Sequence, residues 1–467
     1  MAKDFIVAIE LGSSKMTGIA GRKNPDGSIS ILAVAKEDSA SYIRKGVAYN
    51  IERTAQGLSN IVSKLKNTLK TEIEQVYVGI GGQSIYSVKN SIVKELPLDC
   101  IVSQDMVNEL MDTNRSMEYK DCEILDAITQ EYNVDGHYED DPVGIQARHL
   151  EGNFLNVLWR RSFYRNLNKS LDNSGIKVAE MYLAPLTMAD CVLTEAEKRA
   201  GCLLVDLGAD TTTVSVYYRN KLRHIAVLPL GGSNVTKDLE SLQIDEINAE
   251  AMKLKHASAL TDEKDIDAEA TLPIDDDRTI LSRKFIQVVE ARMLEIVENV
   301  KYLVPHEFAD KLLGGIVLTG GGSNMKNVEK LFREVFGAEK VRIAKSTTLN
   351  INKKDSDVIL SEDGTTNTIL GLLAKGDMNC AGRAISETLF DEEEEPGSEN
   401  TVSLDPTLAA TGTGAQPAAQ TAAQPAAVAE EEEEEKAPEP HKPTKISRFF
   451  GSLKKFGSSI FEPDVNE

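Results

Sequence analysis

Cys202-Leu203-Leu204-Val205-Asp206-Leu207-Gly208-Ala209-Asp210-Thr211-Thr212 repeats the plan of Phe5-Ile6-Val7-Ala8-Ile9-Glu10-Leu11-Gly12-Ser13-Ser14-Lys15, 196 residues on (Glu10 to Asp206). In each copy an apolar strand runs into an acid, a Leu-Gly step and a turn of small or hydroxyl residues. Each continues into a second strand, Thr17-Gly18-Ile19-Ala20 in the first copy and Thr213-Val214-Ser215-Val216-Tyr217 in the second. The pattern predicts two β-hairpins of like design. Two such turns facing one another would grip a polyphosphate from both sides. Glycine permits close backbone approach, and turn N–H groups are donors for phosphate oxygens. The candidate contacts are Gly12, Ser13, Ser14 and Lys15 in one turn, and Gly208, Ala209, Asp210, Thr211 and Thr212 in the other.

A third glycine cluster follows a buried-type strand in Gly314-Gly315-Ile316-Val317-Leu318-Thr319-Gly320-Gly321-Gly322-Ser323-Asn324-Met325. Val328, Leu331, Phe332 and Val335 then recur at helical spacing, which predicts a helix from about Asn327. A flat wall of Gly320, Gly321 and Gly322, with Ser323 and Met325, suits a nucleoside or a phosphate. Taken alone, it is equally a tight turn without a ligand. The order of two acid-Leu-Gly hairpins followed by strand, triple glycine and helix is far more specific.

At 467 residues the chain can build two or three domains. Its net charge of -22 excludes nucleic acid as a bulk partner, since phosphate backbones need a basic face. The charge is uneven. Asp391 to Glu439 holds 14 acids against Lys436 alone, whereas the tip from Pro440 holds five bases and three acids. By subtraction the region before Asp391 carries -11. The five cysteines (Cys100, Cys122, Cys191, Cys202, Cys380) show no CxxC pair or metal-type spacing and read as reduced thiols. The N-terminus enters a strand with no signal-like apolar stretch, and no apolar run approaches the roughly 20 residues that span a bilayer. These features predict a cytoplasmic protein.

Residues 389–444, rich in acids and then in Ala, Pro, Gln and Thr, cannot bury enough apolar surface to offset chain entropy and read as a disordered linker. Residues 445–461 regain periodicity. Ile446, Phe449, Phe450, Leu453, Phe456, Ile460 and Phe461 share one helical face, while Lys445, Arg448, Lys454 and Lys455 flank or oppose it. A helix of that length, roughly 25 Å, is too charged to span but suits the surface of an anionic phospholipid membrane. A helix docked on the head or on a partner is the alternative.

Through these motifs the chain resembles the actin, Hsp70 and sugar kinase superfamily over roughly residues 4–385, and within it the FtsA family of bacterial cell-division proteins. The closer resemblance rests on Ala249-Glu250-Ala251-Met252-Lys253-Leu254-Lys255, on Gly315 to Gly322, on Arg223-His224-Ile225-Ala226-Val227-Leu228-Pro229-Leu230-Gly231-Gly232, and on Asp363 to Leu373. It implies an α/β, actin-like (ribonuclease H-like, duplicated) fold with two lobes around a nucleotide cleft. Subdomain 1A would comprise 1–84, 163–200 and 346–388, with a family-specific subdomain 1C at 85–162. Subdomain 2A would comprise 201–235 and 309–345, around a subdomain 2B at 236–308. Within 1C, strands such as Ser91-Ile92-Val93 and a helix near Gln104 to Met117 are expected.

The resemblance further implies ATP and Mg²⁺ as ligands, Glu250 and Lys253 at the nucleoside, and Glu10 and Asp206 at the metal. Relatives carry aspartate on both hairpins, so Glu10 is a departure, and its other reading is a cap for the turn. The segment Met181-Tyr182-Leu183-Ala184-Pro185-Leu186-Thr187-Met188-Ala189 has no Glu or Gln where hydrolysing relatives orient the attacking water, which predicts weak or no ATPase activity. Implied partners are the FtsZ C-terminal peptide, further copies of the chain and other division proteins, at the cytoplasmic face of the cell membrane at the division site. Arg283, Lys284 and Arg292, on an expected helix from Ser282 to Tyr302, are the candidate contacts for FtsZ. An Hsp70-type chaperone would need a folded β-rich domain after the head, and a sugar kinase a catalytic Asp over its substrate. A pilus-assembly actin homologue stays open.

Overall fold

The computed structural model describes residues 4–384 except 263, 265, 266, 268, 276 and 353–359. The acidic stretch 389–444 and the amphipathic stretch 445–461 lie outside the described residues.

The first hairpin pairs Ile6–Leu11 with Lys15–Lys23, Glu10 opposite Thr17. It is the centre of a six-stranded sheet ordered Val178–Leu183, Val76–Ile80, Ile6–Leu11, Lys15–Lys23, Ile29–Asp38 and Ile351–Asn352. The apolar run Ile6 to Ile9 is buried because both faces of this sheet are covered. Helix Ile51–Leu69 lays Leu58, Ile61 and Leu65, spaced three and four apart, against one face. Asn50 caps its start by accepting from Arg53 N at 3.0 Å. On the other side, helices Ala184–Val192 and Asn367–Lys375 pack so closely that a Cβ on Gly371 would lie 2.5 Å from Thr187 O.

The second hairpin, Cys202–Leu207 with Thr212–Tyr218, is flanked by the parallel strand Gly315–Thr319 and by Lys221–Leu228. Gly232–Glu240, Glu246–His256 and Ser282–Leu303 are the helices between Lys221–Leu228 and Gly315–Thr319. The last, expected over Ser282 to Tyr302, runs one residue further and buries Phe285, Val289, Met293, Ile296, Val297 and Val300 along one stripe at helical spacing.

Residues 86–160 form strands Tyr86–Glu95, Cys122–Val134, His137–Glu139 and His149–Arg160 with helix Gln104–Arg115. Their own core includes Val102, Val107, Leu110, Tyr132, Leu150 and Phe154. A buried reciprocal amide pair, Asn114 with Asn156 at 2.7 and 2.9 Å, ties the helix to the sheet. The strand expected at Ser91–Val93 extends over ten residues, because only alternate positions face the core and the polar ones between them leave no continuous apolar run. The same strand joins the second lobe's sheet through Tyr86 beside Ala226, with Val227 N donating to Ile85 O at 3.1 Å. That junction crosses 140 residues of sequence (86 to 226), and no local pattern announces it.

Candidate functional site

The two hairpin turns lie where the lobes meet, and a short loop bridges them. Gly46 N donates to Ser13 Oγ of the first turn at 2.8 Å, while Lys45 N donates to Asp210 Oδ2 of the second at 3.1 Å. Ser39 Oγ braces the first turn by donating to Gly12 O at 2.6 Å. The second turn is closed by Gly208 N on Thr211 O (2.9 Å) and held against helix Gly232–Glu240 by Ser233 N on Ala209 O (2.7 Å). Ser14 is exposed and Lys15 half-buried. Thr212 is buried and donates to Leu230 O, so its hydroxyl supports the turn.

Glu10 and Asp206 end the first strands of the two hairpins. Burial, then repulsion from Asp206, pushes the Glu10 carboxyl up to about 7, against the pull of Lys15 and a hydrogen bond from Thr368. Burial pushes Asp206 up to about 6. Two carboxyls that resist ionisation at close quarters are a donor set a divalent cation would relieve. Among the described residues no group of three or more His, Cys, Asp or Glu side chains could hold a metal, so these two would act with water or phosphate oxygens.

The triple-glycine turn seals this floor. Gly320 has φ +82°, and a Cβ there would run into Asp206 Oδ1 and lie 2.7 Å from Leu207 O. Gly321–Asn324 is a single 3₁₀ turn, and the following helix starts at Val328. Ser323 is buried and donates to Gly320 O, so it shapes the turn; Gly321 is exposed, and Met325 is half-buried. Glu250 and Lys253 pair at 2.6 Å through a shared contact with Thr236, and Lys253 Nζ donates to Gly232 O at 3.2 Å. This cluster therefore adjoins the second turn. Helix Ala184–Val192 begins with buried Ala184 and Pro185 and has no acid in its first turn.

Arg292 lies elsewhere, on helix Ser282–Leu303. It makes a bidentate pair with Asp238 at 2.6 and 2.9 Å and contacts Glu295, so its charge is already balanced. Arg283 and Lys284 are exposed in the first turn of that helix. Sequence reasoning missed the loop Lys45–Gly46, the hydroxyls of Ser39 and Thr236, and Asn367. Buried Asn367 carries Nδ2 hydrogen bonds to Thr319 Oγ1 (3.0 Å) and Ala344 O (2.8 Å) across the lobes. Gly46 marks a turn in the sequence, and its φ is positive in the fold, but residue type announces neither of the two backbone donors.

Comparison with known proteins places this geometry in a family. The model for the cell division protein FtsA matches residues 203–361, and the model for the SHS2 domain inserted in FtsA matches residues 82–158. The cell division protein FtsA of Porphyromonas gingivalis is 31% identical over 379 residues, covering 80% of this chain and 78% of that one. The Neisseria meningitidis protein of the same description is 29% identical over 340 residues, covering 71% and 82%. Among solved structures, the PilM–PilN type IV pilus biogenesis complex superposes with a TM-score of 0.54 at 14% identity, covering 79% of this chain and 97% of that one. That last likeness is one of fold. Among the described residues no helix is long and apolar enough to cross a membrane.

Proposed function

The chain belongs to the FtsA family of cell-division proteins and has the actin-like fold, and from that membership we propose that it binds ATP with Mg²⁺ in the cleft, polymerises on the cytoplasmic face of the bacterial membrane, and tethers FtsZ and later division proteins there. The observation that carries the nucleotide reading is the convergence of the turns at Gly12–Lys15 and Gly208–Thr211 on the Glu10–Asp206 pair, with the Gly320–Gly322 turn packed against Asp206. Gly12, Ser13, Ser14, Lys15, Gly208, Ala209, Asp210 and Thr211 hold the phosphates. Glu250, Lys253, the triple glycine and Met325 frame the nucleoside. Glu10 and Asp206 hold Mg²⁺, which neutralises and orients the phosphates when bound.

Hydrolysis is not this cleft's main output. Ala184 and Pro185 occupy the helix start where a water-orienting side chain would be needed, and neither can polarise water. Purified protein should bind a fluorescent ATP analogue saturably, yet turn over fewer than about one ATP per second, the low end of ordinary enzyme rates. Faster turnover in the purified full chain overturns the reading of ATP as an assembly ligand that is held more than hydrolysed.

FtsZ docking is assigned to the lobe carrying helix Ser282–Leu303, through Arg283 and Lys284, with Arg292 at the rim. Charge reversal of Arg292 would bring a third acid beside Asp238 and Glu295 and disturb the fold, so it is a poor probe. Reversing exposed Arg283 and Lys284 together should weaken co-sedimentation with FtsZ at least tenfold, about 1.4 kcal/mol, with an unchanged melting temperature. Undiminished co-sedimentation removes both residues from the site.

A further inference from the structure

An open groove of about 450 Å³, adjoining the cleft between the two turns at Lys45, is lined by Arg44, Lys45, Val47, Ala48, Tyr49, Gln83, Phe163 and Asn166. We propose that this groove docks an acidic peptide segment of a partner protein through an apolar or aromatic anchor, and that the loop Arg44–Gly46 couples its occupancy to the nucleotide cleft.

Charge decides the class of partner. No lining residue is acidic, in a chain whose net charge is -22. Arg44 and Lys45 are exposed on the rim, and Arg160 extends the positive edge with its guanidinium 5.5 Å from the Phe163 ring. The Arg44 guanidinium lies 4.3 Å over the ring of Tyr49, which is 63% exposed. A guanidinium held on an aromatic face keeps its remaining N–H donors free for carboxylates. Tyr49, Phe163, Val47 and Ala48 supply the apolar surface that one anchoring side chain needs, and the volume falls in the range of specific small sites. Arginines beside an aromatic slot are the usual means of reading acidic motifs.

The coupling follows from what the rim is made of. Lys45 and Gly46 donate their backbone N–H groups to Asp210 and Ser13, one in each of the facing turns. Lys45 O in turn accepts from Gln83 N at 2.8 Å, which ties the loop to the groove wall. The loop cannot shift freely. Lys45 and Gly46 both have positive φ, and a Cβ on Gly46 would lie 2.5 Å from Gly82 Cα. Any ligand that draws on Ser13 or Asp210 must therefore act on the residues that present Arg44 and Lys45. This second half rests on the cleft being the nucleotide site; the first does not.

A random short-peptide library displayed on phage and panned against nucleotide-free full-length protein tests the docking. Enriched sequences should pair Asp or Glu with Phe, Tyr, Trp or Leu. A labelled synthetic copy of the most enriched peptide should bind at least tenfold more weakly to Arg44→Glu/Arg160→Glu and to Tyr49→Ala. Lys255→Glu, an exposed cation on the other lobe, should leave binding unchanged, and melting temperatures verify that all variants fold. No enrichment, enrichment without acids, or indifference to the groove variants overturns the docking. ATP binding is then measured on the same samples. If ATP binds and shifts peptide affinity several-fold, the coupling stands; if ATP binds and peptide affinity is constant, the coupling falls. If ATP does not bind, the coupling falls with the nucleotide reading, and the docking result remains.

Discussion

Glu10→Gln should make the nucleotide-free protein more stable at pH 8 while removing most of the Mg²⁺ contribution to ATP affinity. The sign follows from the raised carboxyls. A free glutamate titrates near 4.5, whereas Glu10 in the fold titrates near 7 because burial and Asp206 disfavour its charge. An acid whose folded value is raised contributes most stability below its ordinary value and loses it as pH climbs through the folded one. The window is therefore about 4.5 to 7 for Glu10, and about 3.8 to 6 for Asp206. Above pH 7 both carry charge that the floor resists. A shift of that size corresponds to an upper limit of about 3 kcal/mol, and because Glu10 is largely buried yet keeps some solvent contact we expect a gain of about 1–2 kcal/mol for Glu10→Gln. A cation held by the pair would reverse the balance, since it would need both carboxyls ionised. Wild-type protein should accordingly gain more melting temperature from Mg²⁺ with ATP at pH 8 than at pH 5.5, and Glu10→Gln should lower Mg²⁺-dependent ATP affinity by about 10–100-fold. Equal Mg²⁺ dependence in the variant would remove Glu10 from the metal site and leave it as a turn support.

The architecture was legible in sequence wherever the signal was periodic or repeated. The hairpin copies around Glu10 and Asp206 register as one plan used twice, and helix Ser282–Leu303 announces itself by a stripe from Phe285 to Val300. The Glu250–Lys253 pair is three residues apart on one helix, so its ion pair is a local fact. The remainder is long-range. Thr236 reaches Glu250 only because two helices pack. The Lys45–Asp210 and Gly46–Ser13 contacts span 165 and 33 residues, and a backbone N–H donor leaves no trace in residue type. Arg292 illustrates the converse. Its sequence position suggested a free cation for a partner, yet Asp238, 54 residues away, already holds it. Exposure, more than residue type, separates Arg283 and Lys284 from it.

Removing residues 445–467 should abolish flotation of the full chain with anionic phospholipid vesicles, and Leu453→Glu should weaken flotation at least tenfold with the rest of the chain intact. In the helix expected from the sequence, seven apolar side chains on one face, at about 1.5–3 kcal/mol each, would set an upper limit near 10–20 kcal/mol. Partial burial at an interface, ordering of a helix that contains Gly451 and Gly457, and lost chain freedom remove much of it. One copy is therefore expected to bind reversibly, and one carboxylate on the apolar face, at about 2–3 kcal/mol, should be enough to release it. Lys445, Arg448, Lys454 and Lys455 add a salt-sensitive attraction of about 1 kcal/mol each to an anionic surface, so high salt should weaken flotation without abolishing it. A linker of 56 residues (389–444), with a reach of roughly 40 Å when flexible, would let neighbouring heads in the proposed polymer place their helices on the same membrane. Effective concentration then multiplies weak single attachments, so flotation should rise steeply with protein concentration once the heads assemble. Flotation by the chain lacking 445–467 would place the membrane contact on the head and sever assembly from membrane residence.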